Sequence, residues 1–269
     1  MPYNRKNRKP RRVARKPYVK RADKCAPPSK CFKTNVLKVI RSQAETKQAY
    51  GVLNTTNFNS GISGLSDILK IVPNVSNGTA DNQKIGDQII AQKITIRGII
   101  NMVPQGLGQG DNVRKIAARL MIVTPKSFPN WSTASASTAW QSYLLKKGGT
   151  VTGFTGAVDD LFAPHNADAI TLHYNRVFFL NQGSYYPTVA GANGAASFEQ
   201  NNMVRFFKKT FNFKNKLLKY DANVDSGLTP TNLGMVAVLG YVFTDGTSPD
   251  TVSTRVSLQY DTIFSYEDA

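Results

Sequence analysis

Alternation of apolar and polar positions is clearest between residues 251 and 264. The even positions Val252, Val256, Leu258, Tyr260 and Phe264 are mostly apolar, and Ser253, Arg255, Ser257, Gln259 and Asp261 alternate with them. A period of two sends successive side chains to opposite faces, so this segment predicts a strand with one buried face. Seven further segments carry strand character: residues 36–41, 48–53, 87–103, 113–124, 169–181, 203–213 and 234–243. The last of these is the longest apolar run. At ten residues it has about half the length a bilayer span needs, so it reads as a buried strand rather than a membrane segment. Helical signals are short, at residues 139–147 and 65–71, and neither is long enough to cover a sheet. The pattern predicts an all-β sandwich.

Long polar connections separate these segments, at residues 54–64, 73–83, 104–112, 126–139 and 183–201. Such excursions are either mobile surface loops or are ordered by something they touch, and in a shell protein that something is a neighbouring subunit.

Charge divides the chain more sharply than hydropathy does. Residues 1–41 hold 15 Lys or Arg against the single acid Asp23, a net of +14, whereas residues 42–269 hold 19 against 16, a net of +3. Residues 1–33 also carry Pro10, Pro17, Pro27 and Pro28 and few large apolar side chains, too little to offset the entropy of ordering. The expected organisation is a disordered basic arm over residues 1–33 and a folded domain over residues 34–269. No apolar stretch follows the basic start, so a secretory signal is not expected. The four Asn-x-Ser/Thr sites at Asn54, Asn74, Asn77 and Asn130 are accordingly not expected to be glycosylated.

Catalytic and metal chemistry find little support. Cys25 and Cys31 are spaced neither like a zinc knuckle nor like a secreted disulfide framework, and His165 and His173 have no Cys or Glu at ligand spacing. No phosphate-binding glycine loop or nucleophile elbow is present. Asp159 and Asp160 are read as a solvent-facing pair, or as a site for a divalent ion. No enzyme activity, metal or cofactor is expected.

Binding of nucleic acid is the chemistry the cations suit. Arg5, Lys6, Arg8, Lys9, Arg11, Arg12, Arg15, Lys16, Lys20 and Arg21 are the expected phosphate contacts of the arm. Residues 8–16, RKPRRVARK, also read as a nuclear localisation signal. A second cluster, Arg205, Lys208, Lys209, Lys214, Lys216 and Lys219, is interleaved with Phe206, Phe207, Phe211, Phe213 and Tyr220 and contains no acid. It is read either as inner-surface nucleic-acid contacts beside stacking rings or as a strand whose rings enter the core while its lysines face solvent. Arg114, Lys115 and Arg119 precede the apolar run at residues 120–123 and are read either as facing the shell interior, where Arg114 and Lys115 would be inner-surface nucleic-acid contacts, or as capping a strand end. Trp131, Trp140, Tyr185 and Tyr186 are candidate subunit contacts, with core packing the competing role for Trp140.

The basic arm, the change into strands near residues 31–34, and the segment KIGDQIIAQKITIRG at residues 84–98 together resemble the capsid proteins of circular, Rep-encoding single-stranded DNA viruses. In that group a Gly-Asp followed by an alternating strand commonly opens the shell domain, here Gly86 and Asp87. The arm is shorter and less arginine-rich than in the better-known circoviruses. The resemblance implies an eight-stranded jelly roll of two four-stranded antiparallel sheets, with about 60 copies forming a closed T=1 icosahedral shell. It implies as partners a single-stranded DNA genome, host nuclear import factors, a host attachment factor of unknown identity and further copies of the chain. The virion, and the nucleus during assembly, are the places it implies, with no membrane insertion. A small or satellite RNA virus coat protein, or a non-viral nucleic-acid-binding module with a basic tail, shares the same charge pattern.

Overall fold

The computed structural model describes residues 35, 36, 39, 45–51, 53–103, 115–181, 203–247 and 255–268. The chain divides into two units, Met1–Ala44 and Glu45–Ala269. In the first, Asn35, Val36 and Val39 are helical, which corrects the strand expected over residues 36–41. The apolar positions 36, 37, 39 and 40 recur at spacings of three and four, which suits a helical turn better than alternation does.

The second unit is built from two antiparallel sheets. In the first sheet β1 (Thr46–Tyr50) and β2 (Asn54–Phe58) lie end to end along one edge of β11 (Val256–Asp268), followed by β4 (Gln88–Met102) and β9 (Val204–Lys219). The second runs β3 (Leu69–Lys70), β10 (Val236–Phe243), β5 (Ile116–Pro125), β8 (Ile170–Leu180). Counting β1 and β2 as one broken strand, the order is that of an eight-stranded jelly roll of two four-stranded sheets. A small hairpin, β6 (Leu145–Lys147) and β7 (Thr150–Thr152), stands outside both.

Two hydrophobic clusters explain the burial pattern. Between the sheets lie Ile94, Ile96 and Ile100 of β4, Leu258, Tyr260 and Phe264 of β11, Leu120 and Ile122 of β5, and Leu239 and Tyr241 of β10. The opposite face of the second sheet, Met121, Val123, Val236, Val238 and Val242, is covered by Ile62, Trp140, Leu144 and Phe154 from the excursions at residues 59–68 and 126–169. Strand β10 is therefore buried on both faces along its whole length, as its unbroken apolar run requires. Gly240 is where that cover presses closest, since a Cβ there would lie 2.5 Å from the Phe154 ring.

Several expected boundaries shift. The strand expected at residues 48–53 covers only the end of β1 and the break after it, and β2 falls in the connection expected at residues 54–64; the register with β11 slips by one residue between the pairs Tyr50–Ile263 and Asn54–Tyr260. The helices expected at residues 65–71 and 139–147 are single 3₁₀ turns, Leu65–Asp67 and Ala139–Tyr143. Each is cut short when the chain enters β3 or β6. Strand β9 runs six residues past its expected end at Phe213, to Lys219.

Candidate nucleic-acid interface

Strands β8 and β9 are the outer strands of different sheets and stack at one open side of the sandwich. Together they carry Arg176, Arg205, Lys208, Lys209, Lys214, Lys216 and Lys219 and no acid. Residues 42–269 hold 19 Lys or Arg and 16 acids. Without these seven cations the balance is 12 against 16, so the whole positive excess of the body sits on two neighbouring strands.

Alternation along β9 decides which cations act together. Phe207, Lys209, Phe211 and Phe213 share the face turned toward the second sheet, and Phe206, Lys208 and Thr210 share the other. On the inward face Lys209 lies 5.7 Å from the Tyr174 ring and 5.9 Å from that of Phe211, and Arg176 lies 5.0 Å from Phe178. Phe178 meets Phe207 at 6.2 Å and His173 meets Phe211 edge-on at 6.3 Å. The Arg205 Nε donates to the Phe179 carbonyl at 3.1 Å, tying the two strands together.

Near its middle β9 leaves regular geometry. Its pairing with β4 shifts between Ala91 and Lys93, and Lys214 and Asn215 adopt φ of 51° and 61°. Asparagine tolerates this left-handed region well and lysine poorly. The irregularity brings Lys214 and Lys216 to a cleft of about 710 Å³ lined also by Thr124, His173, Lys209, Phe211, Phe213 and Met235. The Lys216 Nζ donates to the Asn232 carbonyl at 3.1 Å at its rim. The Nε2 of His173 is 2.9 Å from the Thr124 hydroxyl. Burial, reinforced by the neighbouring Lys216, holds the imidazole below its ordinary value.

The remaining cations separate from this group. Lys208 stands on the outer face of the first sheet beside Arg97, whose guanidinium makes a bidentate pair with Asp261 at 2.8 to 3.0 Å. That face also exposes Phe206, at 73%. Lys219 pairs with Gln88 far along β9. Lys115 is exposed at the start of β5. Arg119 is buried and structural: it donates to the Asn175 side chain at 3.0 Å, the Ala163 carbonyl at 3.0 Å and the Asp160 carbonyl. Arg114, Tyr185, Tyr186, Cys25, Cys31 and the arm cations from Arg5 to Arg21 lie outside the described residues.

Asp160 corrects the expectation of a solvent-facing pair. Its side chain is wholly buried and accepts from the amides of Thr155, Gly156 and Ala157 and from the Thr155 hydroxyl, at 2.7 to 3.1 Å. Lys147 bridges it and the exposed Asp159, at 2.6 and 2.7 Å. The pair thus organises the covering excursion. Among the described residues no group of three His, Cys, Asp or Glu is arranged to hold a metal ion, and no helix is long and apolar enough to cross a membrane. Trp140 is a core residue, its Nε1 donating to the Ala134 carbonyl at 3.0 Å.

The segment at residues 84–98 also has a structural account. Lys84 is buried over the Tyr220 ring at 4.7 Å, donating to Asn77 and to the Gly86 carbonyl. Gly86 turns at φ 99° into β4. Three strands precede that turn, so it lies within the sandwich order and does not open it.

No family model matches the chain, and no curated protein matches it. Among solved structures it is similar to a mavirus penton protein over 82% of this chain and 100% of that one, at 11% identity and a TM-score of 0.17. At that level the jelly-roll assignment rests on the strand order alone.

Proposed function

We propose that the chain is a coat protein that assembles into a small icosahedral shell and packages single-stranded DNA through its basic arm. The observation that carries this reading is the joining of a +14 segment to a jelly-roll body. Packed phosphates repel, and cationic arms relieve that repulsion by displacing condensed counterions without regard to sequence. With about 60 arms, on the order of 840 phosphates are neutralised from within the shell. The body supplies apolar surface for neighbours: Phe162, Phe179 and Phe206 are exposed at 81%, 63% and 73%, and exposed rings of this size suit subunit contacts.

The test is negative-stain electron microscopy of the purified full chain, with absorbance at 260 and 280 nm on the same fraction and nuclease digestion of the extracted cargo. Uniform spherical particles holding DNase-sensitive nucleic acid are expected. RNase-sensitive cargo would replace the DNA reading with an RNA coat protein. A small soluble species at physiological salt would replace both with a nucleic-acid-binding module.

A further inference from the structure

We propose that the cleft between β8 and β9 is a second binding track for single-stranded nucleic acid, separate from the arm, with Lys209, Lys214 and Lys216 holding consecutive phosphates and Phe211 meeting a base. The inference rests on the nucleic-acid reading above, though not on shell assembly.

Three features point to this occupant. The first is the segregation of charge: β8 and β9 hold seven cations and no carboxylate, and three of the seven, Lys209, Lys214 and Lys216, line the cleft. The second is that the cations line a concave site, where a polyanion meets several of them at once. The third is chemical, because the same walls offer the rings of Phe211 and Phe213 and the imidazole of His173. Lysine beside aromatic rings is the combination that holds a single strand without reading its sequence, one group taking the phosphate and the other the π-face of a base. Duplex DNA keeps its bases stacked and offers such rings nothing.

Lysines on outer strands have another use, which is to deter pairing with a second chain. Deterrence needs charge along the strand and nothing more. It does not require the irregularity at Lys214 and Asn215 that carries lysines to the cleft, nor rings facing it, nor the absence of acids from both strands.

The experiment uses three forms of the full chain: unaltered, a cleft form (Lys209→Gln, Lys214→Gln, Lys216→Gln) and an arm form (Arg8, Lys9, Arg11, Arg12, Arg15 and Lys16 each replaced by Gln). Binding of a fluorescein-labelled oligothymidylate is followed by anisotropy across a salt series. In the cleft form the slope of log K against log salt should flatten by about 2, at roughly 0.7 per lost phosphate contact. Arg in place of the three lysines should restore it. In the arm form an oligonucleotide bearing 5-iodouracil should photocross-link to β8 or β9, located by mass spectrometry. Unchanged slope in the cleft form, with cross-links absent from both strands, overturns the cleft and leaves the packaging reading standing. Failure of the unaltered chain to bind at all overturns both.

Discussion

Gly240 and His173 show how single positions carry consequences their sequence neighbours do not announce. Because a Cβ at residue 240 would strike the Phe154 ring, Gly240→Ala should destabilise the fold by about 1–3 kcal/mol in urea titration. Trimming the ring with Phe154→Leu should recover part of that loss in the double variant. At His173 the sign follows from burial. The folded imidazole resists protonation, so on acidification the unfolded chain takes up the proton first, and stability falls as pH drops below about 6.5, levelling off beneath the folded-state value. His173→Gln should flatten that part of the stability curve in thermal melts recorded from pH 7.5 downward. Neither role is legible in the sequence. Gly240 sits in an apolar run that says nothing of what covers it, and the environment of His173 is made by Phe211 and Lys216, which only the fold brings beside it.

At the scale of elements, the covering excursion at residues 126–169 behaves as a structure in its own right, held by Asp160 and Arg119. Asp160→Ala removes the acceptor of three amides and one of the two carboxylates paired with Lys147, at a cost of about 3 kcal/mol. Limited proteolysis should then cut within residues 153–163 while strands β4 and β11 stay protected from hydrogen exchange. The strands themselves were largely readable. Long alternating or wholly apolar stretches gave β4, β5, β8, β10 and β11, since one buried face or two imposes the pattern directly. Reading failed where a register is set by a distant partner, as β11 sets the break between β1 and β2, and where β9 continues past Phe213 through the polar KNK. Its lysines face solvent there, and Asn215 was the sole hint of an irregularity. The cation cluster was visible as composition, but which lysines share a face was not. Alternation split Lys208 from Lys209, and the irregularity near Lys214 then reset the phase.

For the molecule as a whole, the dominant feature is that the net positive charge lies on the arm and on strands β8 and β9 while the rest of the body is net acidic. Deleting residues 1–33 should remove most of the packaged nucleic acid and leave a folded β body, read as a fall in the ratio of absorbance at 260 and 280 nm with an unchanged β-sheet circular dichroism spectrum. Cargo retained at the level of the full chain would sink the arm mechanism.

The position of β11 bears on how the chain is made. It forms the centre of the first sheet, between β4 on one side and β1 with β2 on the other, and its partners are far away in sequence, Thr46 against Glu267 for example. Long-range pairing of this kind is slow to form. During translation β1, β2 and β4 emerge early and wait without their common neighbour until residues 256–268 clear the ribosome. A product that stops short of those residues leaves β1 and β2 without their partner strand in the first sheet. Joining of the first sheet therefore waits on β11, a condition set by strand order and not by any separate checkpoint.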